Sequence, residues 1–568
     1  MNRHMFIYRE SFREGTAHIR RAIAIAMLVP AATLSCSPPS AQEQGHEGHA
    51  QGSAVVLFDN LGDHHREIST AVPEAQAYFD QGLRLQYAFN HAEAIRAYEE
   101  ALRHDPGCAM CWWGIALAHG PNINAPMDEE SGRLAYAAIE KAGRLAPGES
   151  ERERAMIEAL AARYSVDPQA DRAALDAAYA DAMAALAARY PDDPDLLALY
   201  GAAIMNLSPW NYWSGDYGNR VPNEGTPELL RSLERAVELD PENPGACHYY
   251  IHAVEAAYPE RAEACADRLA ALMPGAGHIV HMPGHVYIRV GRYADAVRAN
   301  EHAVHADETY IADQRPVGLY PSAYYPHNYH FMWFAASLAG MSETAIEAAR
   351  IVAPKVPVEI AQEVPFLQSV LALPQLTAIT FGRWDEALAA TPPPPGLPVG
   401  EAMHRYARGT ALAATGDFDG ARVELAAVER IAGEAGAEPN PVVEIAVHAL
   451  AGEIALRSGD ADGAVTHFEA AAAIEDQMQY EEPPLWYLPV RHSLGRALLE
   501  AGRPGEAEQA YREDLLRFRA NGWSLLGLSQ SLEAQGKTAE AAEAMARFRD
   551  AWQDADVELM SHEWESRR

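Results

Sequence analysis

The segment YFDQGLRLQYAFNHAEAIRAYEEALRHDP, residues 78–106, decides the fold class of this chain. Its apolar residues recur three and four positions apart on both sides of a central Phe-Asn-His, which predicts two helices joined by a short turn. Small residues such as Gly82 and Ala94 allow two helices to approach closely, and large residues such as Tyr98 fill the space beside them. The segment therefore predicts a helical hairpin.

Similar segments recur along the chain at a period of roughly 30 to 50 residues, which is typical of stacked supersecondary units. They include LLRSLERAVELDP (229–241), GRYADAVRANEHAVHADE (291–308), GDFDGARVELAAVE (416–429) and GKTAEAAEAMARF (536–548). The first copy resembles the tetratricopeptide repeat (TPR). The motif's large, small, small, aromatic, small and proline positions are occupied by Tyr78, Gly82, Ala94, Tyr98, Ala101 and Pro106. The resemblance implies an all-α, right-handed TPR superhelical solenoid of about 11 to 12 helix pairs.

The composition agrees with a long helical array. The chain has 568 residues, of which 49% are hydrophobic, and this length exceeds what one ordinary core uses. Its net charge of −35 repels phosphate backbones, so we expect no nucleic-acid partner. The chain has no nucleophile elbow, phosphate-binding glycine loop or dinucleotide-binding fingerprint in the structural context that each one requires.

The N-terminus is typical of an exported protein. A basic stretch ending at Arg21 precedes an apolar segment, 22–32, that is too short to span a bilayer permanently, so we predict a signal peptide over 1–35. Cys36 follows Leu-Ser as in a bacterial lipoprotein signal, although Thr33 is not the preferred residue there. We expect a periplasmic protein or an outer-membrane lipoprotein, whose only membrane contact is a lipid anchor on Cys36.

The remainder divides by composition into a disordered tether, two arrays and a tail. We predict the tether at 36–62, an N-terminal TPR array with insertions at 63–390, a C-terminal TPR array at 401–555 and a tail at 556–568. A proline run, 392–395, separates the arrays. Cys108 and Cys111 have redox spacing without a surrounding strand pattern, whereas Cys247 and Cys265 are a possible disulfide pair in an exported protein.

Histidines cluster in three successive repeats. When the repeats are counted from their turn glycines, seven histidines and one glutamate occupy the second, fifth, ninth or twelfth position, which the TPR resemblance places on the concave groove. They are His248, His252, Glu255, His278, His281, His285, His327 and His330. In a later repeat, His492 also takes the fifth position.

The spacing favours a metal site. Histidines four residues apart on a helix, such as His281 and His285, lie close enough to hold one ion together. Several imidazoles with one carboxylate suit zinc, copper or iron, with Glu255 as a ligand or as the group that orients one. The alternative is a metal-free groove in which the same imidazoles hydrogen-bond a carboxylate or a peptide.

Two aromatic insertions, 208–225 and 311–325, flank the histidine repeats. Ordered aromatic residues in long loops favour a pocket wall for a small or extended ligand. The residues expected to form it are Trp210, Trp213, Tyr320, Tyr324 and Tyr325, with His278 as a further ligand-binding residue. The same side chains are also compatible with simple capping of the seams between repeats.

Three functions follow from these features. The first is an exported TPR solenoid that binds a ligand in its histidine-lined groove, with a transition metal. The second is a metal-free periplasmic scaffold for a protein or peptide segment, and the third is a metal-dependent enzyme of unassigned reaction. The segments FNHAEAI, HMPGH and YPHN resemble those of uncharacterised exported bacterial TPR proteins, and that resemblance names no reaction.

Overall fold

A computed structural model of the chain describes residues 55–215, 218–434 and 439–559. The predicted signal peptide, the Cys36 anchor, most of the predicted tether and the end of the predicted tail lie outside the described residues. No helix within the described ranges combines the length and the apolar character needed to cross a membrane.

The described chain is all-α, as predicted, apart from one short antiparallel pair of strands, β1 (Trp213–Ser214) and β2 (Val221–Pro222). The α-helices in chain order are α1 (Pro73–Tyr87), α2 (His91–His104), α3 (Ala109–Ala118), α4 (Glu129–Leu145), α5 (Glu151–Ala161), α6 (Arg172–Arg189), α7 (Pro194–Leu207), α8 (Thr226–Leu239), α9 (Pro244–Val254), α10 (Glu263–Leu272), α11 (Gly277–His281), α12 (Pro283–Val290), α13 (Tyr293–Gln314), α14 (Tyr325–Ala339), α15 (Ser342–Val352), α16 (Val358–Glu363), α17 (Leu367–Leu371), α18 (Leu373–Thr380), α19 (Trp384–Ala389), α20 (Pro398–Ala414), α21 (Phe418–Glu434), α22 (Pro441–Arg457), α23 (Ala461–Gln477), α24 (Val490–Glu500), α25 (Pro504–Arg517), α26 (Gly522–Ala534) and α27 (Thr538–Ala551). A π-helical turn (Tyr320–Tyr324) immediately precedes α14.

Close packing of small residues against large ones joins successive helices. A Cβ atom added to Gly82 on α1 would lie 2.5 Å from the ring of Tyr98 on α2, and one added to Gly114 on α3 would lie 2.6 Å from the same ring. Tyr98 is fully buried between these two glycines. The helical hairpin predicted from residues 78–106 is confirmed, with the small and large side chains in the predicted roles.

Eight turns between paired helices have a left-handed residue two positions before the second helix. This position is held by Gly291, Gly340, Gly382, Gly416, Gly459, Gly502 and Gly536, all with positive φ. In the first hairpin the same position is Phe89, with φ 56°. A non-glycine residue in this conformation costs roughly 1–2 kcal/mol, so the phenylalanine at this turn needs a compensating contact.

The chain divides into two compact units. The described part of the first unit comprises 55–286 and 299–328, and that of the second comprises 287–298 and 329–559. Of the predicted metal ligands, only His330 belongs to the second unit. All the others belong to the first.

Residues 55–62, the end of the segment expected to be a tether, run along the first unit. The side chain of Gln81 on α1 accepts a hydrogen bond from the Phe58 amide and donates one to the Val56 carbonyl, at 2.8 and 2.9 Å. The Asn60 carbonyl accepts a hydrogen bond from the amide of Gly275 at 2.8 Å. This part of the chain is therefore ordered by main-chain and side-chain hydrogen bonds.

Two disulfides lie in the first unit. Cys247 on α9 is bonded to Cys265 on α10, with 5.2 Å between their Cα atoms, as the sequence allowed. Cys108 is bonded to Cys111 at the start of α3, with 5.4 Å between their Cα atoms. The first of these bonds fixes the helix that carries His248 against its neighbour.

Candidate metal centre

Helix α9 carries His248 and His252 one turn apart. Pro244 occupies the first position of the helix, where its missing N–H is not needed, and the Asn243 side chain caps the N-terminus by accepting a hydrogen bond from the Ala246 amide at 2.8 Å. Because residues four apart share a helix face, both imidazoles project from the same side of α9.

The sequence HMPGH, 281–285, forms the junction between α11 and α12. Pro283 begins α12, and the His285 amide donates to the Met282 carbonyl at 3.1 Å, so the chain continues in a helical course across the junction. His281 and His285 therefore lie one turn apart, and their Nε2 atoms are 2.9 Å from each other. The proline ends one short helix and starts the next without separating the two rings.

Six histidines and one glutamate of the predicted set come together in the first unit. His248, His252, Glu255, His278, His281 and His285 are each at most 3% exposed, and His327 near the start of α14 is half-buried. The prediction of an open, groove-facing belt therefore differs from the structure, which buries these side chains.

The first group of candidate ligands consists of His248, His252 and His278. One nitrogen from each ring lies within 4.8 Å of the others. Nε2 of His248, Nε2 of His252 and both ring nitrogens of His278 have no hydrogen-bond partner among the described residues. A buried polar atom without a partner costs about 1–3 kcal/mol, so converging nitrogens of this kind indicate a missing cation or donor.

Hydrogen bonds fix the orientation of two rings in this first group. Nδ1 of His248 lies 2.6 Å from the carbonyl oxygen of Tyr87, and Nδ1 of His252 lies 2.8 Å from Oε1 of Glu255. Both partners accept, so each ring carries its proton on Nδ1 and presents the Nε2 lone pair to the group. Carbonyl and carboxylate partners of this kind are the usual outer contacts of metal-bound histidines.

Tyr87 is itself held firmly. Its hydroxyl donates to Oδ1 of Asp195 at 2.7 Å, and its ring packs so closely on Gly245 that a Cβ there would lie 2.4 Å away. Arg66 and His64 also bond to Asp195, at 3.1 and 3.0 Å. The carbonyl that orients His248 therefore belongs to a residue fixed by a buried polar network.

The second group of candidate ligands consists of His281, His285 and His327, again with one nitrogen per ring within 4.8 Å of the others. Nδ1 of His281 lies 2.7 Å from Oδ1 of Asn300, and Nδ1 of His285 hydrogen-bonds Oε2 of Glu255. These contacts place the protons of His281 and His285 on Nδ1 and direct both Nε2 lone pairs into the group.

Glu255 joins the two groups. Oε1 accepts a hydrogen bond from His252 in the first group and Oε2 accepts one from His285 in the second. Burial alone would raise the pKa of Glu255, but the neighbouring His285 and His252 outweigh burial and hold that pKa well below its usual range. The glutamate is therefore an ionised carboxylate that orients one imidazole of each group.

Burial favours the neutral form of four histidines of the cluster. Burial, and secondarily the other imidazoles, lowers the pKa of His248, His278 and His281 well below its ordinary value, and burial also lowers the pKa of His252. Neutral imidazole is the form that binds metal ions. The electrostatics of the cluster thus favour ligation over charge.

Aromatic rings cover the first group. Ring centroids of Phe89 and His248 are 4.5 Å apart, and Phe89 also stacks on His278 at 5.5 Å. Trp210 meets His252 edge-on at 5.0 Å, and Tyr324 lies 4.6 Å from His278. These rings explain why the histidines are buried, and the contacts to Phe89 compensate for its left-handed turn.

The other predicted residues have different neighbours. The Trp213 indole donates to the Ala253 carbonyl at 2.8 Å, and Tyr325 donates to Glu308 at 2.9 Å. The Tyr320 hydroxyl donates a hydrogen bond to Asp307 at 2.8 Å and accepts one from the His278 backbone amide at 3.1 Å. Tyr320 therefore contacts the backbone of a candidate ligand and not its imidazole ring. His330 belongs to neither three-histidine group, and its ring stacks on Trp333 at 5.4 Å.

Sequence reasoning missed Phe89 and Asn300. Phe89 had a detectable signal, because a phenylalanine stands where seven later helix pairs have a turn glycine. Asn300 had none, because it lies mid-helix on α13 in a segment that follows the repeat pattern. Its contact with His281 depends on how two helices pack.

No protein-family model matches the chain, and no curated protein matches it. Among solved structures, human IFIT1 with m7Gppp-AAAA is similar over 85% of this chain and 91% of that one, with 13% identity and a TM-score of 0.29. The APC/C hetero-tetramer Cut9-Hcn1 is similar over 85% and 74%, with 13% identity and a TM-score of 0.30. MamA MSR-1 is similar over 41% and 98%, with 16% identity and a TM-score of 0.20. TM-scores of this size carry no argument about function.

Proposed function

We propose that this protein is an exported helical-repeat protein that binds a transition-metal ion through its buried histidine cluster. The observation that carries the proposal is the convergence of three histidines, His248, His252 and His278, whose inward nitrogens lack a partner among the described residues. One cation would satisfy all three at once, whereas a protein donor would satisfy only one.

The ligand chemistry limits the metal to zinc, copper or iron. Imidazole suits these ions, and the first group offers three neutral nitrogen ligands without a carboxylate among them. Both Glu255 oxygens are engaged by Nδ1 atoms of histidines, so we assign the glutamate the orienting role and leave the coordination to the imidazoles.

Export is part of the proposal. The two disulfides of the first unit support an oxidising compartment, since such bonds are rare in reducing ones. The basic and apolar N-terminal segment, with Cys36 behind it, supports a periplasmic location or an outer-membrane lipid anchor. The resemblance to exported bacterial TPR proteins with FNHAEAI, HMPGH and YPHN segments points the same way.

A metal-dependent enzyme is the second candidate. Three protein ligands leave a coordination position for a water molecule, which is the arrangement of catalytic zinc sites, and a substrate would reach it only when the covering rings of Phe89, Trp210 and Tyr324 move. The metal-free peptide scaffold fits less well, because a peptide has no access to histidines that are at most 3% exposed. We assign no reaction and no partner.

Elemental analysis of protein purified without a histidine tag tests the proposal. We expect at least one equivalent of zinc, copper or iron per chain, and a lower melting temperature after chelation, because a ligand that binds the folded state stabilises it. Metal-free protein that takes up none of these ions, and whose melting temperature does not respond to chelator, contradicts metal binding and leaves the scaffold function.

A further inference from the structure

We infer that the cluster holds two metal ions, one bound by His248, His252 and His278 and the other by His281, His285 and His327. This inference rests on the proposed function and extends it from one ion to a pair. Four observations support it: the division of the ligands, the spacing of the rings, the shared carboxylate and the close Nε2 contact.

Within the described part of the chain, three groups of ligand atoms lie close enough to hold an ion: His248, His252 and His278; His281, His285 and His327; and His252, Glu255 and His285. The first two groups have no histidine in common, and the third shares one histidine with each of them, because Glu255 stands between the two sets. Each set supplies three nitrogens, which is the usual number of protein ligands at a metal site that keeps an open position. A single ion with all six imidazoles as ligands would exceed the four-coordinate sets that zinc prefers in proteins. Three ligands for each of two ions use every histidine of the cluster.

The two sets lie side by side. Ring centroids of His252 and His285 are 5.3 Å apart, and those of His278 and His281 are 5.8 Å apart. At these distances the facing rings are in contact, and no other side chain lies between them. The two ions are therefore neighbours in one centre and not occupants of separate sites.

Glu255 serves both sets at once. It fixes the Nδ1 proton of His252 in the first set and that of His285 in the second, so the Nε2 atom of each ring is the one left for a metal. The position of Glu255 between the sets indicates a common orienting anion for two ligated histidines.

Nε2 of His281 and Nε2 of His285 lie 2.9 Å apart. The side chains of Asn300 and Glu255 accept hydrogen bonds from Nδ1 of these rings, so Nε2 is the ligand atom that each ring presents in its neutral form. A metal ion between the rings would be bound by both Nε2 atoms, and in the metal-free protein a single proton shared by the two rings takes that place. The second set thus has two ligand atoms directed at one position, separate from the first set.

Zinc titration of chelator-treated full-length protein tests the inference, with calorimetry for the stoichiometry and elemental analysis after desalting. We expect two equivalents per chain for the wild type. If the wild type takes up no zinc, and no copper or iron when these are titrated in the same way, the proposed function and the inference are overturned together. One equivalent would overturn the inference alone and leave the proposed function intact.

Two variants assign the ions to their sets. His278→Phe removes a ligand of the first set without breaking a side-chain hydrogen bond, and His327→Phe removes the half-buried ligand of the second. Each should bind one equivalent, and the double variant none. His492→Phe, in the second unit, is the matched control and should retain two. A single variant that keeps both equivalents, or loses both while its circular dichroism spectrum is unchanged, would overturn the assignment.

Copper(II) tests the closeness of the ions. The first equivalent should give the spectrum of an isolated ion in electron paramagnetic resonance, and the second should broaden or abolish that signal because adjacent unpaired electrons couple. Two equivalents with additive, uncoupled signals would overturn the side-by-side arrangement. Because the wild-type stoichiometry already decides between one ion and two, the test does not depend on any variant folding.

Discussion

His492 in the second unit and His278 in the first are both buried histidines, and both were expected from the repeat register to face the groove. Nε2 of His492 lies 3.1 Å from Oδ2 of Asp514, which also accepts hydrogen bonds from Asn521 at 2.8 Å and Ser524 at 2.6 Å. One nitrogen of His492, Nδ1, has no partner among the described residues, and it stands alone. Around His278, several such nitrogens converge.

The difference shows that a buried histidine at a groove-facing repeat position is not enough to indicate a metal site. A single buried nitrogen without a hydrogen-bond partner lowers the free energy of unfolding by about 1–3 kcal/mol, which a folded protein of this size can accommodate. Next to the other nitrogen of His492, the Asp514 carboxylate accepts hydrogen bonds from the Asn521 amide and the Ser524 hydroxyl. A group made only of imidazoles lacks donors for its inward nitrogens, and a cation is the simplest group that serves them all.

Low pH should have the largest effect on stability, through the buried histidines of the first unit. The pKa of His248, His278 and His281 is lowered by burial from 6.5, so below pH 6.5 the unfolded chain binds protons that the metal-free folded protein excludes. Stability is then present above pH 6.5 and is lost as pH falls, by about 1.4 kcal/mol per pH unit for each group, or roughly 4 kcal/mol per unit for the three. Urea unfolding of the metal-free protein at pH 7.5 and 5.5 measures this. Equal unfolding free energies at the two pH values would contradict it.

Replacement of the orienting carboxylates should have the next largest effect. In Glu255→Gln only one oxygen remains to accept an Nδ1 proton, so either His252 or His285 loses its orientation, and metal affinity should fall about 10- to 100-fold. Asp514→Asn is the matched change in the second unit and should leave the affinity unaltered. Competition with a chromophoric chelator measures both. An equal loss of affinity in the two variants would remove the distinction between the regions.

Phenylalanine substitutions should have opposite effects on stability in the two regions. In the metal-free protein His278→Phe replaces two unpartnered nitrogens with carbon and should stabilise the fold by about 1–3 kcal/mol. His492→Phe breaks the contacts of its ring with Asp514 and Asn521 and should destabilise the fold by a similar amount. Chemical unfolding without metal gives both values. A destabilised His278→Phe variant would mean that the ring has polar contacts that its neighbours do not reveal.

Trp210→Phe should have the smallest effect. The variant keeps an aromatic ring at the edge of His252 but loses the hydrogen bond from the indole to the Ile123 carbonyl, at 3.0 Å, which is worth about 1 kcal/mol. Metal stoichiometry should not change. Thermal unfolding and elemental analysis of the same preparation check the two expectations. Loss of metal in this variant would show that Trp210 positions His252 as a ligand and does not only shield it from solvent.

The sequence was sufficient to predict the helical hairpins and which histidines share a helix face, because both follow from local spacing of small, large and turn residues. It was not sufficient to predict that the cluster is buried, since burial comes from the rings of Phe89, Trp210 and Tyr324, which are distant in the chain. The division into two groups depends on the approach of α9, α11 and α14 and on side-chain rotation. His330 was included on register alone, and its stacking on Trp333 is a local contact that register does not encode.

The left-handed turn at Phe89 has a consequence for how quickly the centre exchanges ions. The left-handed backbone fixes the direction of the Cα–Cβ bond of Phe89, and the ring packs against His248, His252 and His278. We therefore expect an ion to enter or leave the first group when this turn opens and the packed ring moves with it. Opening of such a turn is a local unfolding event and is slow compared with rotamer changes. An ion bound beneath Phe89 would thus have a long residence time, and the protein would keep its metal through dilution even where its equilibrium affinity is modest.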